Sequence, residues 1–215
     1  MPFPILIAYL SASSVLIPLT FCFFIKGKIA QEIKILIIIL MMSFLCDGLS
    51  LIFIRYSINT HPIGNFYLFV QFSLLYYLFY LRLNSLRVLR WVSILFGIGY
   101  TMNLIFFQGF LRFNSYSNVG ACILIIGMSL SYFYMLVKEM PTPYINRLPF
   151  LWIAFAALTY YGGNLFLFLL GDYLTTGFGG SRAFVWILHN FLNITKNILF
   201  AIAVWQTCRS PKSFI

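Results

Sequence analysis

The stretch ILIIILMMSFLCDGLSLIFI, residues 35–54, decides the fold. A helix of about 20 predominantly apolar residues is long enough to cross the hydrocarbon core of a bilayer. Further apolar runs of this kind follow along the chain, separated by polar residues, so the sequence predicts an all-α protein with a single transmembrane domain over residues 1–215. The predicted spans of this seven-helix bundle are residues 5–25, 35–54, 66–81, 91–107, 119–137, 148–170 and 183–205.

The composition indicates that lipid is the main solvent of this chain. Hydrophobic residues make up 62% and charged residues 8% of its 215 residues, whereas soluble domains are about 45–50% apolar and about 25% charged. A soluble fold could not cover that much apolar surface, and the length leaves little room beside about seven spans. The net charge of +10 does not indicate nucleic-acid binding, because the basic residues stand in small groups between apolar runs rather than on one solvated face.

The distribution of basic residues predicts the orientation in the membrane. Cytoplasmic loops carry an excess of Lys and Arg, so we expect the N-terminus outside and the C-terminus in the cytoplasm of a multi-pass protein of the cell membrane (the inner or plasma membrane). One basic residue, Lys196, lies within the seventh span. The expected inner side holds Lys26, Lys28, Lys34, Arg82, Arg87, Arg90, Lys138, Arg147, Arg209 and Lys212, and the expected outer side holds Arg55, Arg112 and Arg182.

Hydrogen-bonding side chains concentrate in the outer half of the predicted bundle. Asp47 is the only intramembrane carboxylate among four acidic residues, and it lies about 10 Å below the outer boundary at about 1.5 Å of rise per residue. Other spans place a polar side chain at a similar depth: Gln71, Asn103, Asn164 and His189. Polar groups at membrane depth usually face the interior of a bundle and point to function. We therefore expect these residues to line or underlie a ligand-binding pocket.

Two polar stripes extend this layer. Residues at i, i+4 and i+7 share one face of a helix. The stripes are Ser43, Asp47 and Ser50 on the second span, and His189, Asn193 and Lys196 on the seventh, which Asn190 and Asn197 broaden. The alternative is that these residues serve only as packing contacts between helices, at about 0.6 kcal/mol each.

The two stripes also predict an ion pair. Side chains lean toward the N-terminus of their own helix, so those of the antiparallel second and seventh spans lean toward each other. If the two helices are neighbours, we expect Lys196 and Asp47 to pair directly or through Asn193, Ser43 or water, because either charge alone is unfavourable in the membrane.

Several positions are candidates for helix kinks or for points of close helix packing. Small residues at helix interfaces let two backbones approach, and a proline interrupts the hydrogen-bond ladder of its helix. The candidates are Pro18 in the first span, Gly97 and Gly99 in the fourth, and Gly162 and Gly163 in the sixth.

The last two spans carry a resemblance to a known family. Trp152-Ile is followed by Tyr161-Gly-Gly-Asn-Leu-Phe-Leu-Phe and then by Trp186-Ile-Leu-His-Asn-Phe-Leu-Asn. This pattern resembles an uncharacterised family of small seven-span membrane proteins in Bacteroidota. The resemblance covers most of the chain, and it implies a topology but no activity.

A second resemblance is to the seven-span intramembrane hydrolases that include alkaline ceramidases and progestin/adiponectin-type receptors. Ser43, Asp47 and His189 are similar in type and place to residues around the zinc of that superfamily. However, Asn193 stands where the HxxxH motif would have its second histidine, and His61 belongs to the loop before the third span. A catalytic zinc needs three protein ligands and an open position, and the four cysteines are scattered. No metal, cofactor or catalytic residue is therefore expected.

A third resemblance is to microbial rhodopsins, which share seven spans, an outside N-terminus and a lysine in the last helix. Lys196 is similar in place to the lysine that forms a Schiff base in that family. The third span, FYLFVQFSLLYY, lacks a carboxylate counter-ion, and the sixth lacks the expected Trp-x-x-Tyr-Pro. A structural or ion-paired lysine is the expectation.

Together these features favour a binding protein of receptor or sensor type. We expect seven helices, surrounded by membrane lipid, to enclose an outward-facing polar pocket for a small ligand. Short loops leave no output domain, so a cytoplasmic or membrane signalling partner is expected to read the bound state. The alternatives are an intramembrane lipid hydrolase and a small-solute or proton-coupled transporter, in which Gly162-Gly163-Asn164 would form a broken helix.

Overall fold

The computed structural model describes residues 3–25, 29–83, 86–139, 144–176 and 182–209, and within these it describes only the backbone of residues 86–87, 170–176 and 182–183. The chain is 87% helix, and the described residues contain no strand. Its α-helices are α1 (Phe3–Ser14), α2 (Leu16–Cys22), α3 (Gln31–Arg55), α4 (His61–Tyr80), α5 (Leu86–Met102), α6 (Ser115–Glu139), α7 (Pro149–Thr176) and α8 (Arg182–Arg209).

In the described part of the chain, seven helical stretches are long and apolar enough to cross a membrane, which confirms the all-α prediction and the predicted count of seven. The chain is thus a multi-pass membrane protein in architecture. The first stretch is formed by α1 and α2 together, and the fourth ends in a wider turn after α5. Of the basic residues that predicted the orientation, Lys26, Lys28 and Lys212 lie outside the described residues, as do the side chains of Arg87 and Arg182.

Most helices extend beyond the apolar runs that predicted them. The helix α4 begins at His61 rather than at residue 66, with Pro62 in its first turn, where a missing backbone N–H causes no loss. The sequence predicts His61 in the loop before the third span. In the structure it is instead the first residue of α4. The helix α7 likewise continues to Thr176 instead of ending at residue 170. The helices are longer than predicted because hydrophobicity indicates only the part of a helix that suits lipid, whereas the backbone hydrogen bonds continue beyond that part.

The first span is interrupted at Val15, which separates α1 from α2. Pro18 has no backbone N–H to donate to the carbonyl of Ser14, and its ring crowds that carbonyl. The hydroxyl of Ser14 donates instead to the carbonyl of Ser11, at 2.6 Å. The kink candidate at Pro18 thus coincides with a break in the helix.

The helix α8 occupies a central position, with α7 on one side and α1 and α2 on another. Gly163 of α7 is the point of closest approach, since a Cβ there would lie 2.5 and 2.7 Å from two methyl carbons of Leu192. A Cβ at Gly97, Gly99 or Gly162 would meet no atom within 4 Å. Among the glycine candidates, Gly163 is therefore the one that close packing requires.

Two sets of contacts identify the ends of the bundle. At one end, Arg82 forms an ion pair with Glu32, 2.7 Å between Nε and Oε1, which joins the end of α4 to the start of α3. At the other end, the Asn65 amide donates to the carbonyls of Phe110 (2.7 Å) and Arg112 (2.9 Å), so the loop before α6 is fixed to the start of α4. We call the latter end, where α1 begins, the N-terminal end.

The last turn of the fourth span is a π-helix, Asn103–Phe107. The amide N–H of Gln108 donates to the carbonyl of Asn103 at 3.0 Å, five residues back. The chain then reverses at Gly109, whose φ of 75° lies in the left-handed region that glycine adopts readily. This geometry directs the following loop across the N-terminal end of the bundle.

Candidate functional site

A cavity of about 530 Å³ lies within the N-terminal end of the bundle. Its walls come from α1, α3, α4, α7 and α8, with contributions from the start of α6 and the loop before it. Several residues that the sequence placed in one polar layer line it together: Asp47, Gln71, His189 and Asn193, with Ser43, Ser50 and Asn190. Asp47 and His189, on helices far apart in sequence, thus face one common space.

Asp47 lies on the face of α3 that is turned to the cavity. The Ser43 hydroxyl, one helical turn away, approaches the carboxylate oxygen Oδ2 at 3.4 Å. Asn193 of α8 is a second polar neighbour of the carboxylate. Half-burial leaves the remaining part of the carboxylate open to the cavity.

His189 is held by a chain of hydrogen bonds from α7. Its Nδ1 lies 2.6 Å from Oδ1 of Asn164, whose own Nδ2 donates to the carbonyl of Tyr160 at 2.8 Å. Since that bond turns the amide oxygen of Asn164 toward the ring, Nδ1 carries the proton in the neutral imidazole, and Nε2 carries a lone pair. The described residues offer Nε2 no hydrogen-bond partner. The histidine therefore presents one nitrogen that is free to engage a ligand.

Aromatic rings surround His189 on three sides. The ring centroids of Trp186, Tyr160 and Phe168 lie 5.4, 5.9 and 6.4 Å from that of the imidazole. Phe113, from the loop before α6, contacts both Phe168 and Trp186 at 5.6 and 6.4 Å. The cavity wall beside His189 is thus aromatic, while the base carries hydrogen-bonding groups.

Lys196 lies behind this base and does not line the cavity. It is 3% exposed, and its Nζ lies 4.3 Å from the centroid of the Tyr160 ring. Arg82–Glu32 is the sole ion pair in the described part of the chain, so the expected direct pairing of Lys196 with Asp47 is not found. Asn193 lies beside Asp47 on the same helix as Lys196, but its amide donates to the Ser11 hydroxyl. The indirect form of the expected pair therefore stays a prediction.

Asn103 and Asn197 do not line the cavity. The sequence predicts Asn103 as a ligand-binding residue, but the structure places it elsewhere. The amide of Asn103 donates to Gln108 (3.0 Å) and Ser117 (2.8 Å), because α5 packs against α4 and α6 at the edge of the bundle. The amide of Asn197 donates to the Ser14 hydroxyl at 2.7 Å. Asn164 also lies outside the lining and acts through His189 instead.

Other residues of the site carry no clear signal in the sequence. Ser11 accepts a hydrogen bond from the Asn193 amide at 2.9 Å and lines the cavity. Ser11 and Ser14 share one face of α1 at i and i+3, and this spacing is the signal in the sequence that indicates a polar face there. Tyr67 also lines the cavity, and its buried hydroxyl has no hydrogen-bond partner among the described residues.

The donor set does not form a metal site in the described residues, where no three His, Cys, Asp or Glu side chains cluster. The groups that are present can donate and accept hydrogen bonds around a small molecule. Comparison with protein-family models, with curated proteins and with solved structures finds no match, so the resemblances to known families stay predictions.

Proposed function

We propose that this protein is a receptor or sensor of the cell membrane that binds a small ligand in the cavity at the N-terminal end of its bundle. The observation that supports this most is the convergence of Asp47, His189 and Asn193 on one space of about 530 Å³. Ligand sites typically have about 300–1,000 Å³, apolar walls and a few polar groups. The cavity has this composition.

We further propose that the cavity faces the outside. Among the described basic residues, Lys34, Arg82 and Lys138 lie at helix ends opposite to the cavity, whereas Arg55 lies on its side. The positive-inside rule then assigns the cavity end to the outer surface and the C-terminus to the cytoplasm.

The closed inner half of the bundle favours a receptor over a transporter. Below the layer of Lys196, the interior is filled by apolar side chains that are almost fully buried: Leu36, Ile39, Leu40, Phe79, Phe200 and Val204. A transporter needs polar groups that continue to the other face. Binding in a closed-ended cavity instead suits a change of helix position that a cytoplasmic or membrane partner reads.

Cys46 offers a direct test, because it lines the cavity with 7% of its surface exposed, whereas Cys122 is 1% exposed and lies in the core. In a variant with Cys22→Ala and Cys208→Ala, a membrane-impermeant thiol reagent added to intact cells should label the protein. The Cys46→Ala derivative is the matched control and should stay unlabelled. Ligands can then be sought by screening compounds for protection of Cys46.

Two results would contradict the proposal. Labelling that occurs only after the cytoplasmic side is made accessible would reverse the orientation. An absence of labelling from either side, in protein that elutes as a folded species, would contradict a cavity that is open to the outside as far as Cys46.

A further inference from the structure

The cavity also indicates what kind of molecule it binds. We propose that the ligand is an uncharged amphiphile, with a neutral hydrogen-bonding head group and one short apolar chain. This inference rests on the proposed binding function and adds the chemical class of the ligand. The head group would contact Asp47, Asn193 and His189, and the chain would lie along α1 and α3.

The polar base of the cavity combines donors with acceptors. The Asp47 carboxylate and the free His189 Nε2 accept hydrogen bonds, while the Tyr67 hydroxyl is a buried donor without a partner in the described chain. An unmade hydrogen bond at a buried polar atom costs about 1–3 kcal/mol. A head group such as a hydroxyl, which both donates and accepts, fits this set.

The charges around the base favour a neutral head group. Among the described side chains, Asp47 is the only formally charged one that lines the cavity. Lys196 is buried behind this wall, beside the Tyr160 ring, and a positive charge there would offset part of the charge of Asp47. A cationic head group would be attracted by Asp47 and repelled by Lys196. An anionic head group would be repelled by Asp47 and attracted by Lys196. Because Asp47 lines the cavity while Lys196 lies behind it, a cationic head keeps only a partly offset attraction and an anionic head is repelled, and desolvation disfavours both ions.

The walls beside this base fit an apolar chain. Pro4, Ala8 and Ala12 share one face of α1 at i, i+4 and i+8, opposite Leu51 and Ile54 of α3. The two alanines leave space there, and the stretch from Pro4 to Ala12 extends for about 12 Å at about 1.5 Å per residue. This apolar cleft ends at the hydrogen-bonding groups, as an amphiphile requires.

The inference is tested with a set of probes that share one chain and differ in the head group. The full-length protein in nanodiscs of zwitterionic phospholipid is cross-linked with decanol that carries a diazirine near its chain end. Unlabelled decanol, decanoate and decyltrimethylammonium then compete. We expect decanol to compete at a concentration about tenfold lower than either ion, equivalent to about 1.4 kcal/mol, and the cross-links to map to residues that line the cavity.

Matched variants separate binding in the cavity from general partitioning into lipid. Ala12→Phe fills the cleft and should reduce cross-linking about tenfold, and Ala8→Phe serves as a second filling variant if the first does not fold. Leu6→Phe places the same ring on α1 at a side chain that is 46% exposed on the outer surface of the bundle. This control should leave cross-linking unchanged.

The outcomes distinguish the two proposals. If decanoate or decyltrimethylammonium competes best, the uncharged-head assignment is wrong, while the receptor proposal stands. If Ala12→Phe and Leu6→Phe cross-link equally and Cys46 is still labelled from outside, the cavity binds no decanol and this inference alone is overturned. If Cys46 is also inaccessible, the receptor proposal fails together with it.

Discussion

At the scale of single residues, Asn164 shows how a buried amide can act through its neighbour. The sequence placed it among the ligand-binding residues, but it contacts His189 and not the cavity. Its oxygen fixes both the ring orientation and the position of the ring proton, because its nitrogen is already engaged by the Tyr160 carbonyl. The histidine can therefore present the same nitrogen to the cavity in every molecule.

The charges of Asp47 and Lys196 should depend on each other. Asp47→Asn leaves a buried ammonium unbalanced, and Lys196→Met leaves an unbalanced carboxylate, so each single substitution should destabilise the protein. The double variant removes both charges and should lose less stability than the sum of the two, with a coupling of about 1–3 kcal/mol. Equilibrium unfolding of the four proteins in the same detergent measures this coupling. Strictly additive effects would show that the two side chains do not interact.

At the scale of helices, two seams differ in how closely they pack. The helices α7 and α8 meet at Gly163, where the backbone of α7 approaches the Leu192 side chain. The helices α1 and α8 meet through polar contacts instead, from Asn193 to Ser11 and from Asn197 to Ser14. The first seam needs a small residue, while the second needs matched donors and acceptors.

Substitution at the glycine pair should show this difference directly. Gly163→Ala places a methyl group against Leu192 and should destabilise the protein by about 1–3 kcal/mol, as measured by thermal unfolding of the purified protein. The neighbouring Gly162→Ala meets no atom within 4 Å, so it should be neutral or slightly stabilising, as alanine is favoured in helices. Leu192→Ala should restore part of the stability that Gly163→Ala loses. Equal effects of the two alanine substitutions would refute the close-packing role.

Helical periodicity explains which parts of the site the sequence could predict. Apolar length predicts the seven spans, the rise per residue predicts a similar depth for Asp47 and His189, and the i, i+4, i+7 spacing predicts that both lie on inward faces. Periodicity does not specify which helices are neighbours. The sequence therefore predicts Asn103 in the pocket, whereas in the structure α5 lies at the edge of the bundle. Ser11 escaped notice because serine in a span often bonds only to its own helix.

At the scale of the whole molecule, the proposed orientation has the two termini on opposite sides of the membrane, as an odd number of spans requires. The described basic residues favour the proposed orientation, since Arg90 in the first part of α5 and Arg147 just before α7 lie at the end opposite to the cavity. A reporter enzyme that works only outside the cytoplasm should be active when fused before α1 and inactive when fused after α8. A cytoplasmic fluorescent reporter should give the reverse pattern. Two fusions with the same behaviour would contradict an odd number of spans.

The attachment of the loop before α6 has a consequence for how the rim of the cavity can change. On one side, Asn65 joins this loop to α4 through two hydrogen bonds, and Asn59 adds another to the Leu111 carbonyl at 2.8 Å. On the other side, α1 borders the cavity as a short segment that ends at the interruption at Val15. The rim is therefore held by hydrogen bonds where the loop before α6 meets α4, whereas along α1 it borders a helix that is interrupted at Val15. Any widening of the rim that admits a ligand is therefore expected mainly in residues 3–10 of α1, about two helical turns that precede the hydrogen bonds from α8 to Ser11 and Ser14.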